Sequence, residues 1–179
     1  MDRAENYAGL QMSVDTLVRP NYSKAKTHAL DLLRRFEINQ PPVDPVHLAR
    51  QLGTKVFFVK FDDRDQNISG FFDAGEDAIY VNKAEWPLRQ TFTVAHELGH
   101  RILHEEWAKS SEYKMLFRDQ DASDDDPYEK EANAFAANLL VPRFMLDDVW
   151  TEYSAEQLSK LFVVSVPVIR NRISFEYGA

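Results

Sequence analysis

Thr93-Val94-Ala95-His96-Glu97-Leu98-Gly99-His100 sets two imidazoles four residues apart with a carboxylate beside the first. On a helix of about 3.6 residues per turn, positions i and i+4 share a face, so His96 and His100 can aim their ring nitrogens at one divalent ion. Glu97 is rotated from His96 by roughly 100°. It is poorly placed as a third ligand but can reach a water on such an ion, where a general base is needed. The flanking Phe92, Val94, Ala95, Leu98, Ile102 and Leu103 make this helix apolar around much of its circumference. Buried imidazoles require partners, and a metal supplies two of them at once, whereas a helix with two surface histidines would not carry such flanks.

Catalytic zinc takes three protein ligands and leaves one position open, so a third must be found. His104 continues the spacing of four but lies eight residues from His96, roughly 12 Å along the axis, too far to share an ion about 2 Å from each ligand. An extension of the HExxHxxGxxH type fails as well, with Leu103 and Glu106 where glycine and histidine would stand. The ligand must come from another element, and a helix beginning at Pro127 offers Glu129 and Glu131. With about 100° per residue, Ala132, Asn133, Ala136 and Leu140 fall near the direction of Glu129, and Glu131 falls nearer the polar side. Small Ala132 and Ala136 would admit a close approach to the metal helix, and Asn133 could hydrogen-bond a ligand. Glu129 is therefore preferred, with Glu131 the alternative. Asp126-Pro127-Tyr128-Glu129 also reads as a helix cap with an acid at the third position, and one carboxylate orientation cannot serve both roles.

The elements that must position these groups follow from periodicity and breakers. Residues 1–22 are expected to be a loose tail. A helix with Ser23 as cap is expected to run to Ile38, where Asn39-Gln40-Pro41-Pro42 stops it. Asp44-Pro45 starts a short helix that Gly53 ends. Residues 55–61, 68–72 and 78–81 are strand-like. After Trp86-Pro87 the metal helix should reach His104 or Trp107, residues 108–127 form an acid-rich connection, and the third long helix runs from Pro127 to Pro142. The expected class is α+β: a zincin-like domain over 23–145 with a small three-stranded sheet against the metal helix, followed by a helical segment, 146–179.

Composition narrows the function classes. The 179 residues include no cysteine, which excludes a disulfide scaffold, a thiolate metal site and a cysteine nucleophile. The longest apolar runs fall far short of the roughly 18 residues of a membrane span, and Met1-Asp2-Arg3-Ala4-Glu5-Asn6 lacks the order of a signal peptide; a cytoplasmic protein is expected. The net charge of -8 argues against general nucleic-acid binding. Residues 1–60 carry nine Lys/Arg and six Asp/Glu, whereas residues 105–131 carry four and ten. That acidic excess beside the candidate site would favour a basic polypeptide.

Three separated motifs resemble the ImmA/IrrE family of metallopeptidases. They are Asn82 in Ile79-Tyr80-Val81-Asn82; Phe92 to His100 with Leu103-His104; and Glu129-Lys130-Glu131-Ala132-Asn133-Ala134-Phe135-Ala136 with Leu139-Leu140-Val141-Pro142. Pro41-Pro42-Val43-Asp44 and Ser69-Gly70-Phe71-Phe72 add to the resemblance, which spans about residues 25–145. Val141 stands where methionine is common. The resemblance implies a zinc endopeptidase, with manganese as the alternative ion, that cleaves a helix-turn-helix repressor of a mobile element or stress regulon. It implies His96 and His100 as ligands, Glu97 as base and a glutamate of the third helix as the remaining ligand. An oxyanion donor is also expected, with Tyr113, Tyr128 and His104 as candidates.

Residues Ser154 to Arg172 resemble a helix-turn-helix, with Ser165 capping its second helix and Val168 with Ile169 or Ile173 facing the first. Residues 132–179 carry only four bases against five acids. Direct DNA contact is therefore disfavoured, and packing on the catalytic domain or docking of the repressor is expected instead. Two other classes remain as expectations: a regulatory binding module whose metal serves structure or sensing, and the toxin of a toxin–antitoxin pair. A structural metal site needs a fourth protein ligand and no base, so Glu97 weighs against the first.

Overall fold

The computed structural model describes residues 19–62, 67–110 and 126–179. Helix α1 (Tyr22–Arg35) begins one residue after Asn21, whose side chain accepts from the Lys24 N–H. Asn21, not Ser23, is the cap, and the helix stops three residues before Ile38. Only Arg19, Pro20 and Asn21 of the expected tail, together with helical Tyr22, lie within the described residues. Helix α2 (Pro45–Gln51) starts as the sequence indicates: the Asp44 carboxylate accepts from the Val46 and His47 N–H groups, with proline at the first helical position. It ends before Gly53, whose φ of 90° suits glycine.

Strands β1 (Lys55–Val59), β2 (Gly70–Asp73) and β3 (Ala78–Asn82) form a mixed sheet in the order β1-β3-β2, parallel between β1 and β3 and antiparallel between β2 and β3. Val56, Phe72, Ile79 and Val81 are buried on one face, while Phe57, Tyr80 and Phe71 stack across the other at 5.3 and 5.0 Å between ring centres. Alternation along each strand produces this division. Gly70 is where β2 passes closest to α3 (Pro87–Leu103): a Cβ there would lie 2.5 Å from Thr93 Cγ2 and 2.7 Å from the Tyr80 carbonyl oxygen. The β2–β3 turn is pinned to the same helix by a two-point contact, Arg101 Nε to Asp77 Oδ1 at 2.7 Å and Nη2 to Oδ2 at 2.9 Å. Asn82 locks the exit from β3, with its amide donating to the Ile68 carbonyl and accepting from the Ala84 N–H.

A short helix α4 (Glu105–Ala108) follows α3 directly, and α5 (Pro127–Leu140) lies along both α3 and α1. Ala25, Ala29, Leu32 and Leu33 of α1, Val94, Ala95 and Leu98 of α3, and Phe135, Ala136, Leu139 and Leu140 of α5 meet in one buried cluster. After α6 (Arg143–Leu146), helices α7 (Ala155–Phe162) and α8 (Val166–Tyr177) pack on one another, and Leu158, Phe162, Val164 and Ile169 join that same cluster. Val163, between α7 and α8, is left-handed at φ 54°. The fold is thus a mixed α+β arrangement with a small sheet. Among the described residues no helix is long and apolar enough to cross a membrane.

Candidate metal centre

α3 brings His96 and His100 to one side. α5 meets it there because small residues face each other: a Cβ on Gly99 would be 3.3 Å from Ala132 Cα and 3.1 Å from Phe135 Cδ1. This proximity lets a first-turn side chain of α5 reach the histidines. The Asp126 carboxylate takes the capping role, accepting from the Tyr128 and Glu129 N–H groups at 2.7 and 3.3 Å. The Glu129 carboxylate is turned instead to the rings, Oε2 lying 3.1 Å from His96 Nε2 and Oε1 lying 3.2 Å from His100 Nε2. The two Nε2 atoms are 3.0 Å apart.

These three groups form a candidate His–His–Glu metal site, with one donor atom from each within 4.8 Å of the others. The donor set fits a divalent ion such as zinc. Ligands at about 2.05 Å around a tetrahedral centre stand ~3.3 Å from one another, close to the spacings found. His100 is 1% exposed, whereas His96 and Glu129 are 14% and 19% exposed. The cluster is therefore open to solvent on the His96 and Glu129 side. Glu97 is buried beside His96, near enough for its charge to favour the protonated ring.

Burial disfavours a charged His96, but the Glu129 carboxylate outweighs it and raises the imidazole to about 9. His100, deeper and next to His96, is lowered by burial to about 4. Burial works against the Glu129 carboxylate's charge, yet the two rings hold it below the usual carboxylate range.

The surroundings differ in part from expectation. Asn133 Oδ1 lies 2.9 Å from His96 Nδ1, the contact anticipated for that residue. Glu131 is not on a polar side: it is buried, 2.9 Å from His104 Nε2 and 2.7 Å from the Asn21 main-chain nitrogen. The helical-wheel argument assumed one buried face, but α5 is covered by α3 on one side and α1 on the other. His104 stands behind His100, its Nδ1 3.3 Å from the His100 Nδ1, and both its nitrogens are engaged, so it is not placed to serve an oxyanion. Tyr128 stacks on Trp107 at 4.5 Å, and Tyr113 lies outside the described residues. The polar pairing of His104 with Glu131 escaped sequence reasoning; its one available signal was a third histidine at the spacing of four.

Comparison with known proteins identifies the family. A family profile described as the IrrE N-terminal-like domain, of the peptidase class, matches residues 49–174. The chain is 29% identical over 134 residues to the radiation response metalloprotease IrrE of Deinococcus deserti, covering 72% of this chain and 44% of that protein. It thus spans less than half the length of that relative. A solved structure titled Mycobacterium tuberculosis transcriptional regulator shares the fold, with a TM-score of 0.57 and 17% identity over 85% of this chain and 46% of that one. On a profile that matches residues 49–174, more than half of the chain, the chain belongs to the IrrE N-terminal-like peptidase family.

Proposed function

We propose that this protein is a zinc-dependent endopeptidase in which His96, His100 and Glu129 hold the ion and Glu97 is the general base. Manganese is the alternative ion, since a nitrogen–oxygen donor set admits both. The observation that carries the reading is the convergence of the three donors at 3.0–3.2 Å beside a buried glutamate. The arrangement is read as zincin-like: a motif helix over a small sheet, with the third ligand from the next long helix. Residues 23–145 are read as the catalytic domain and residues 146–179 as a helix-turn-helix-like segment packed against it.

When bound, the ion supplies Lewis acidity, lowering the pKa of a water and polarising a carbonyl. Glu97 accepts the proton of the attacking water as its oxygen bonds to the scissile carbonyl carbon. The C–N bond then breaks, and Glu97 delivers the same proton to the departing amine. Asn133 holds the His96 ring through Nδ1 during this cycle, and the burial of His100 fixes the inner ligand.

The substrate is a protein regulator, most specifically a helix-turn-helix repressor, and the setting is cytoplasmic. Support comes from the family, from the relative's name as a metalloprotease of a radiation response, and from the acid-rich composition of residues 105–131, which suits a basic polypeptide. The test is incubation of wild type and Glu97→Gln, each with zinc or manganese, with the helix-turn-helix protein encoded beside this one, followed by intact-mass measurement. A single cut made by wild type alone and stopped by chelator is expected. The variant should lose about 10²–10⁴-fold in rate while retaining zinc. A metal-dependent complex without cleavage would instead make the protein a regulatory binding module.

A further inference from the structure

Behind the centre runs a chain of buried polar contacts whose hydrogens can be placed atom by atom. We infer from it that His104 and Glu131 are positioning residues that hold His100 in its metal-binding tautomer. The inference rests on the metal-centre reading above. Glu131 Oε1 accepts from the Asn21 main-chain N–H at 2.7 Å, and Oε2 stands 2.9 Å from His104 Nε2. A carboxylate accepts only, so His104 Nε2 carries a hydrogen. A neutral imidazole holds a single N–H, which leaves His104 Nδ1 a bare lone pair.

That lone pair faces His100 Nδ1 at 3.3 Å. Two bare nitrogens would repel, so the hydrogen between them belongs to His100 Nδ1. With a cation between the donors, His100 Nε2, 3.0 Å from His96 Nε2 and 3.2 Å from Glu129 Oε1, then carries no hydrogen and offers its lone pair, the one form in which that atom can bind. His96 reaches the same tautomer by a separate route, donating from Nδ1 to Asn133 Oδ1.

The relay is enclosed. Tyr128 lies edge-on to His104 at 5.0 Å between ring centres and Trp107 at 6.1 Å, and the two aromatic rings stack on each other. The far end is anchored on the residue that caps α1, so the seating of α1 on α5 reaches the inner ligand through three hydrogen bonds. Partners of this kind are worth about 10–100-fold in metal affinity.

Long-range 1H–15N spectra of the zinc-loaded wild type read the tautomers directly. The expected result is a hydrogen on His104 Nε2 and on His100 Nδ1. Zinc affinity by chelator competition is then compared among wild type, Glu131→Gln, His104→Phe and the double variant. Glutamine turns its NH2 toward either His104 or the Asn21 N–H, and phenylalanine keeps a flat ring but removes the acceptor. Each single variant is expected to weaken zinc by about 10–100-fold, and the double variant by no more than the weaker single, as for members of one network. A hydrogen on His104 Nδ1, or single variants that bind zinc within twofold of wild type, would overturn the relay while leaving the metal centre standing. A wild type that binds no zinc would overturn both.

Discussion

The interface between α3 and α5 and the seat of α7 and α8 are both buried, but they are built from different materials. The first is close and polar: Gly99 against Ala132 lets the backbones approach, and the space beside them holds His96, His100, Glu97 and Glu129. The second is apolar, with Leu158, Phe162, Val164 and Ile169 fully buried. Its polar contacts include a buried arginine: Arg172 Nε donates to the Val141 carbonyl at 3.0 Å, and Glu176 receives Arg172 at 2.8 Å and Lys26 at 3.5 Å. A change in the second region should therefore cost stability before chemistry. In the first, chemistry should fail while the fold survives.

Phe162→Ala sets the largest expected effect. Removing a fully buried ring should destabilise the protein by about 3–5 kcal/mol in urea unfolding, with zinc affinity of the remaining folded fraction unchanged. Glu129→Gln is the converse. It keeps the shape but removes the charge facing two rings, and zinc affinity should fall by more than the ~100-fold upper range of an outer partner. The midpoint of metal-free unfolding should move far less than in Phe162→Ala.

Gly99→Ala joins the two readouts. Its Cβ would stand 3.1 Å from Phe135 Cδ1 and 3.3 Å from Ala132 Cα, so the helices must part by a few tenths of an ångström. Overpacking of about 1–3 kcal/mol, reduced by ~1 kcal/mol of helix propensity, should leave a modest loss of stability. Weaker zinc binding should accompany it, because Glu129 rides on α5. Unchanged affinity in this variant would separate the metal centre from the helix spacing.

The smallest effect is on pH. In the metal-free protein His96 is raised from 6.5 to about 9, so its contribution to stability is full below 6.5 and is lost as the pH rises through 9. Glu129 is lowered from 4.5; its contribution is present above 4.5 and is lost as the pH falls below it. Metal-free stability from this pair should therefore be flat between 4.5 and 6.5 and decline from 6.5 to about 9. Zinc must displace the His96 proton, so affinity should rise about tenfold per pH unit below the His96 value. Calorimetry at neutral pH in buffers of different ionisation enthalpy should show about one proton released per zinc.

Local signals carried much of this architecture in the sequence. The spacing of His96 and His100, the Asp44-Pro45 start and the Pro127 to Pro142 limits of α5 each rest on a short-range rule, and the structure shows the corresponding elements. Glu129 was singled out by its angular relation to Ala132 and Ala136, and the structure brings it to both histidines. What stayed hidden depends on two elements meeting. Glu131 was assigned to the polar side because nothing local reveals that α1 covers it. Asn21 outcompetes Ser23 as cap where its backbone N–H also meets Glu131. The role of Gly99 in admitting α5 likewise depends on the second helix lying against it.

The measurement that bears most directly on the central claim is a crystal structure of the zinc-loaded protein with anomalous data at the zinc edge. The account predicts one ion held by His96 Nε2, His100 Nε2 and the Glu129 carboxylate, with the fourth position free of protein atoms and within reach of Glu97. An ion held instead by His104 or Glu131, or closed off by a fourth protein ligand, would contradict it.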